Sequence, residues 1–270
     1  MLKVYLVQME SHTDERENYA KVRDMVTGVR PVTGSLVLLP EMFDTGYRPD
    51  TAQVPTGTKG FLQELADSTG CFIAGGGMQR DGGTVTNHVG IYAPHKQGEI
   101  AGYDKMHPFF PEQGLITAGK DVTVTAIGAV QTAPTICFDL RFPEQYREAM
   151  QRGAQLFTVH AAWPAKRTDH WDALLKARAI ENQAYVAAVN CVTANGDFIG
   201  NSQVIDPLGN VIAHAEPGRE MVVEADVDID LLLKYRNNFP VLPTTRSGKM
   251  CFLSLRKSVA KINTRKWAVS

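Results

Sequence analysis

An α/β fold is the class this sequence predicts, and three observations carry it. Short β-rich runs alternate with helical stretches along most of the chain. Several of those runs are apolar on both alternating faces, as strands covered on both sides must be. Turn dipeptides built on Gly, Asn and Asp separate neighbouring runs.

In chain order, the β-rich runs fall at 3–7, 36–39, 71–75, 88–93, 132–137, 156–160, 185–192, 202–206 and 221–227. Helical periodicity occupies 13–26, 58–69, 143–152, 169–183 and 229–237. Leu36, Val37, Leu38 and Leu39 leave no polar face at all, which predicts a strand buried between two layers. Asp81-Gly82-Gly83, Asn195-Gly196-Asp197 and Asp206-Pro207-Leu208-Gly209-Asn210 predict hairpins between the strands they separate. Neither a fixed-period repeat nor a linker interrupts residues 1–246, so one domain is expected there.

The segment 247–270 differs in kind. It carries Lys249, Arg256, Lys257, Lys261, Arg265 and Lys266 and no acidic residue, a basic C-terminal tail. Two readings stay open for it: an element packed on the body or on a partner subunit, or an electrostatic patch for a polyanion or membrane.

With 270 residues, 44% of them hydrophobic, the chain can bury a large core. A formal charge of −1 calls for neither nucleic acid nor an anionic membrane as partner, and a small-molecule substrate fits it. The opening MLKVYLVQ is too short for a signal sequence, and no apolar run reaches about 18 residues, so a cytoplasmic protein is expected. Cys71, Cys137, Cys191 and Cys251 lie far apart without zinc-type spacing, so neither a metal nor a disulfide framework is expected.

Three segments share one form, an apolar run ending in a reactive residue before a turn: LVLLPEMF with Glu41, GYDKMHPF with Lys105 and APTICFDLRFPE with Cys137. Strand ends are where α/β proteins gather chemistry, because the frame is rigid and the loops are open. A thiol beside an ammonium and a carboxylate makes a nucleophile, a cation and a base. Taken singly, a strand-terminal Cys is an ordinary buried residue and a lone Lys or Glu an ordinary surface charge.

The motifs LPEMF, YDKMH and CFDLRFPE, in this order, resemble those of the nitrilase, or carbon–nitrogen hydrolase, superfamily. The resemblance continues through residues 161–190 and 202–213 and covers about residues 3–246. It implies a four-layer αββα sandwich, usually a homodimer, with no cofactor and no metal. It also implies hydrolysis of a small amide through a thioester on Cys137, with Glu41 as proton carrier and Lys105 and the Phe138 backbone N–H meeting the oxyanion. Glu112 in FFPEQGLITAG looks like the family's second glutamate. WPAKR, HWDALLKARAIENQAYVA and LPEMFDTGY resemble the ω-amidase subgroup, which hydrolyses the terminal amide of dicarboxylic acid monoamides such as 2-oxoglutaramate.

Such a substrate needs donors for its distal carboxylate, and Tyr47, His107, Arg141, Trp163, Lys166 and Arg167 lie near the motifs. Arg141 is expected to pair with a carboxylate, Trp163 to wall the substrate, and His107 and His160 to be hydrogen-bonded histidines. Cys191, after Asn190, could touch the same wall. Other amide substrates, an N-carbamoyl amine, a nitrile, or a non-catalytic binding protein on the same fold are the alternatives.

Overall fold

The computed structural model describes residues 1–52 and 54–242. The basic segment 247–270, with Cys251, lies outside the described residues, and so does the boundary at 246.

Two six-stranded sheets form the centre. In the first, β1 (Leu2–Gln8), β2 (Leu36–Glu41) and β3 (Phe72–Asp81) run parallel, flanked by β12 (Met221–Val227) on one side and by β4 (Thr84–Tyr92) and β5 (Glu99–Asp104) on the other. In the second, β7 (Val130–Ile136), β8 (Leu156–Ala161) and β9 (Tyr185–Asn190) run parallel. Antiparallel β6 (Thr125–Ile127) borders them on one side, and β10 (Gln203–Ile205) with β11 (Val211–His214) on the other.

Side-chain alternation along β1 and β2 explains the layering. Val4, Leu6, Leu36 and Leu38 enter the core shared with Val159, Ala161 and Ala188 of the second sheet. Tyr5, Val7, Val37 and Leu39 point the other way, onto Val22 and Val26 of α1 (Glu15–Val29) and Phe61, Leu62 and Leu65 of α2 (Thr58–Thr69). The second sheet is covered in turn by Tyr146 and Ala149 of α3 (Pro143–Gln151) and Trp171, Leu175 and Ala179 of α4 (Thr168–Asn182). The result is the expected four-layer αββα sandwich, with α5 (Ile229–Asn238) following β12.

Helix ends follow their sequence cues. Asp14 caps α1 through a 2.9 Å bond from Arg16 N, Asp228 caps α5, and Gly70 closes α2 in the left-handed region at φ 68°. The Gly82 and Gly209 turns join β3 to β4 and β10 to β11, as their residues predict. Asn195-Gly196-Asp197 instead tips an irregular loop joined by a single bridge between Val192 and Ile199. Strands β5, β6 and β11 have no counterpart among the sequence runs.

Candidate active site

Glu41 owes its direction to an irregularity. Along β2 it should share the face of Val37 and Leu39, toward the helices. The pairing with β3 jumps from Leu38↔Ala74 to Glu41↔Gly76, so β2 carries one extra residue there. This bulge, at Leu39-Pro40, turns Glu41 to the face of Leu36 and Leu38, between the sheets. His160 steadies it: its Nδ1 lies 2.7 Å from the Leu39 carbonyl, and its Nε2 lies 3.1 Å from the Thr158 hydroxyl. Burial pushes the imidazole down to about 4, so it is neutral and donates from Nδ1 to Leu39. His160 is thus a hydrogen-bonded histidine, and one that supports the site from behind.

Lys105 follows the end of β5. Its N–H donates to Asn87 O at 2.8 Å and its carbonyl accepts from Gly119 N at 2.9 Å. Its ammonium, wholly buried, lies 2.8 Å from Glu41 Oε1 and 2.8 Å from Glu112 Oε2. Asn87 Nδ2 donates to both Glu41 Oε1 and Glu112 Oε1, each at 2.8 Å. Phe109 N holds Glu112 Oε2 at 2.6 Å, and Ala162 N holds Glu41 Oε2 at 3.0 Å. Burial opposes the charge on Lys105, but the neighbouring Glu41, Cys137 and Glu112 outweigh it and raise its pKa. The side chain stays an ammonium. Burial and the charge of Glu41 raise the Glu112 carboxyl.

Cys137 ends β7 and begins a 3-10 turn, Cys137–Arg141, with φ at 44°, a left-handed conformation that costs a non-glycine residue about 1–3 kcal/mol. The buried Asp139 carboxylate holds that turn. It accepts from Ile136 N at 3.0 Å, Tyr103 OH at 2.7 Å and His107 N at 3.0 Å, and takes His107 Nδ1 at 2.8 Å. The Cys137 thiol contacts Ala162 O at 3.7 Å, so the backbone of Ala162 touches both the thiol and Glu41. Burial, then the charge of Glu41, raises the thiol's pKa well above its ordinary value, against the pull of Lys105. At rest the sulfur carries its proton. The helix α3 begins only at Pro143, so the 3-10 turn, not a helix end, lies next to the sulfur.

Above Cys137 opens a cavity of about 480 Å³. Tyr47, Phe109, Phe110, Phe138, Trp163 and Phe198 form most of its wall, and Arg141, Lys166, Arg167 and His170 reach it as well. Trp163 is fixed by Asn190, which accepts from its N–H at 2.7 Å, and by its own Nε1–H donating to Arg167 O at 2.8 Å. In the wall beside Cys137 the buried Tyr47 hydroxyl has no hydrogen-bond partner among the described residues.

The cations depart from expectation. Among the described residues Arg141 has no carboxylate partner. Its guanidinium lies 4.7 Å from the Trp163 ring centre and 5.9 Å from that of Phe138, and it meets only His170 Nδ1, at 3.3 Å. Burial and the nearby Arg167 lower its pKa. Arg167 lies 5.9 Å from the Phe109 ring centre. His107 does not line the cavity; it stacks on Phe142 at 3.7 Å and grips Asp139 behind the thiol. Cys191 is buried outside the lining, with its pKa raised by burial.

The structure therefore gathers Glu41, Lys105 and Glu112 in one buried cluster next to Cys137, which lines the floor of an aromatic cavity. Sequence reading had not singled out Asn87, Ala162, Asn190 or Asp139. An Asn inside the apolar alternation of 84–92 was the one visible signal among them.

A sandwich of two mixed sheets with a thiol, an ammonium and two carboxylates clustered at the strand ends defines a class, that of architectures suited to nucleophilic attack at the carbon of a carbon–nitrogen bond. A carbon–nitrogen hydrolase family profile matches residues 3–237, and the chain belongs to that family. It is an enzyme that hydrolyses a non-peptide amide bond. It is 36% identical over 225 residues to a 2-oxoglutaramate amidase of Bacillus subtilis, covering 78% of this chain and 85% of the relative. It is also 36% identical over 218 residues to the omega-amidase YafV of Yersinia enterocolitica, covering 78% and 84%. Among solved structures, XC1258 from Xanthomonas campestris, a CN-hydrolase superfamily protein with an arsenic adduct in its active site, superposes with a TM-score of 0.82. It is 29% identical, over 92% of this chain and 98% of that one. A mutant of the amidase from Nesterenkonia sp. AN1, showing the result of Michael addition of acrylamide at its active-site cysteine, superposes with a TM-score of 0.77 at 25% identity, over 89% of this chain and 98% of that one.

Proposed function

We propose that this protein is an ω-amidase, releasing ammonia from the terminal amide of a short dicarboxylic acid monoamide such as 2-oxoglutaramate, through a thioester on Cys137. One observation carries the reading. A fully buried Glu41–Lys105–Glu112–Asn87 network lies behind Cys137 at the cavity floor, while Arg141 at the wall has no carboxylate partner among the described residues. The names and identities of the relatives support it.

The chemistry follows from the protonation states. Glu41 takes the thiol proton as the Cys137 sulfur attacks the amide carbon. The Lys105 ammonium and the Phe138 N–H meet the oxyanion. When the tetrahedral centre collapses, the C–N bond breaks and Glu41 returns the proton to the leaving nitrogen. Glu41 then takes a proton from water, whose oxygen attacks the thioester, and the acid leaves as Cys137 regains its hydrogen. Glu112 and Asn87 keep Lys105 and Glu41 in place throughout. At the other end Arg141, Lys166 and Arg167 take the distal carboxylate, Trp163 walls the chain between, and the Tyr47 hydroxyl finds its partner on the substrate.

A homodimer and a cytoplasmic setting belong to the same reading. Ile180 of α4, which lies against Gly209 of the β10–β11 turn, and Leu208 of that turn are each 50% exposed and support an interface there, which light scattering would test. Among the described residues, no helix is long and apolar enough to cross a membrane.

The test is ammonia release from 2-oxoglutaramate, succinamate, glutamine, an N-carbamoyl amine and an aliphatic nitrile, by wild type and Cys137→Ala. Release from 2-oxoglutaramate and succinamate, which carry a distal carboxylate and no α-ammonium, well above that from glutamine and the others, and lost in the variant, is expected. Preference for an amide without a distal carboxylate would overturn the substrate assignment.

A further inference from the structure

On the outer face of β4 and β5, behind Lys105, lies a second charged cluster. His88 Nδ1 is 2.8 Å from Asp104 Oδ1, and Nε2 is 2.9 Å from Glu99 Oε2. His88 and Asp104 are direct partners in the antiparallel ladder, and Glu99 reaches back along β5 to close the other side. Two facing glycines make room for it. A Cβ at Gly102 would overlap Glu99 Oε1 and His88 Cε1, and one at Gly90 would sit 2.6 Å from Glu99 Oε2. The cluster is therefore fitted into a slot and not scattered on a surface. His88 is only 13% exposed and Glu99 23%.

The sequence neighbours of this cluster are the inner-site residues. Asn87, which precedes His88, bridges Glu41 and Glu112; Lys105, which follows Asp104, is the site's ammonium. Strand β5 is the outermost strand of its sheet, and its end is tied to β4 where Lys105 N donates to Asn87 O. Because alternate residues face opposite sides, a clamp on His88 and Asp104 sets the positions of Asn87 and Lys105.

We propose that His88, held as an imidazolium between Glu99 and Asp104, is a positioning residue for Lys105 and Asn87, and that activity depends on its keeping that proton. The proposal rests on the reading of Lys105 as the oxyanion's cation.

With both nitrogens protonated, His88 donates to a carboxylate on each side. Once neutral, it has one donor, and its other nitrogen turns a lone pair toward a carboxylate. Burial disfavours the charge, but the hydrogen bonds and charges of Asp104 and Glu99 raise the imidazole to about 9, from an ordinary 6.5. Because the folded value is the higher one, the clamp's contribution is full below about 6.5 and is lost as pH rises through about 9. The other charged and titratable groups around His88 are Tyr92 on β4, Arg80 on β3, Asp44 after β2 and Lys59 on α2, which line the same cavity of about 350 Å³. Burial raises Tyr92 above the range, burial brings Asp44 up only to about 6, and Lys105 and Cys137 are raised as well, so His88 is the group placed to titrate near 9.

The experiment compares wild type, His88→Gln and Glu99→Gln by kcat and KM against pH, and by the alkylation rate of Cys137 with iodoacetamide at neutral pH. Wild-type kcat should fall roughly fivefold or more through an alkaline limb near pH 9, with KM changing less than about twofold. In His88→Gln, kcat should be about fivefold to tenfold lower at neutral pH, with the limb gone and alkylation slowed in parallel. In Glu99→Gln the limb should move to lower pH. A wild-type limb absent near 9, or variants with the limb and alkylation rate of wild type, would overturn the proposal. Should His88→Gln not fold, the nearly isosteric Glu99→Gln decides alone. The alkylation rate needs no substrate, so the clamp can fail while the amidase reading stands, and the converse.

Discussion

The floor and the mouth of the cavity are built on opposite electrostatic plans. At the floor, one ammonium faces two carboxylates, an Asn donates to both, and two backbone N–H groups hold the outer oxygens. Each charged group there is hydrogen-bonded within the protein and shielded from water before substrate arrives. At the mouth, Arg141 and Arg167 lie on aromatic rings near one another with no carboxylate partner among the described residues. The floor is complete alone, whereas the mouth, on the proposed reading, is completed by the substrate's distal carboxylate. The difference teaches which residues govern turnover and which govern choice of substrate.

The sharpest way to break this division is at the floor. Cys137→Ala should lower kcat on the order of 10⁴-fold or more with binding retained, measured by ammonia release and by calorimetric titration of substrate. Lys105→Met should also lose turnover, and it should cost about 3–5 kcal/mol of stability because two buried carboxylates lose their cation. Glu112 already has its carboxyl raised, so in that variant protonation relieves the repulsion. The deficit in urea unfolding should therefore shrink as pH falls and grow as it rises. A variant as stable as wild type at every pH would mean the floor is not a closed ion network.

At the mouth the effect is smaller and selective. Arg141→Leu should raise KM for a carboxylate-bearing amide about tenfold to a hundredfold, with kcat nearly kept and a neutral amide unaffected. A fall in kcat for both substrates would erase the division of labour. Smallest of all is the support behind the bulge. His160→Phe leaves the Leu39 carbonyl unpaired, at about 1–3 kcal/mol. In wild type the imidazole is held neutral, down at about 4, so its contribution is present above 6.5 and lost as pH falls through 4; thermal melts of the two proteins should converge there.

Much of the frame was legible. Leu36 to Leu39 announced a strand covered on both faces because its residues had no polar side to show, and β12 and α2 stand where their runs place them. Strand β5 stayed hidden because its sequence EIAGYD spends its outer positions on Glu99, Gly102 and Asp104, which serve the His88 slot and break the apolar alternation. In the site, the three motif residues were visible as reactive types at run ends. What holds them was not. The bulge that turns Glu41 is a matter of register with β3, and the Ala162 backbone that touches both Glu41 and Cys137 carries no chemical signature in its side chain. Arg141 misled because a guanidinium suggests a carboxylate partner, and here the aromatic faces of Trp163 and Phe138 take that place.

The central claim is that the buried floor works by making a thioester at Cys137, and acid quenching during turnover tests it most directly. Intact mass and peptide mapping of protein quenched with 2-oxoglutaramate should show one acyl group, on the peptide carrying Cys137, in wild type and none in Cys137→Ala. Steady ammonia release by wild type with no adduct, or an acyl group on any other residue, would contradict the account.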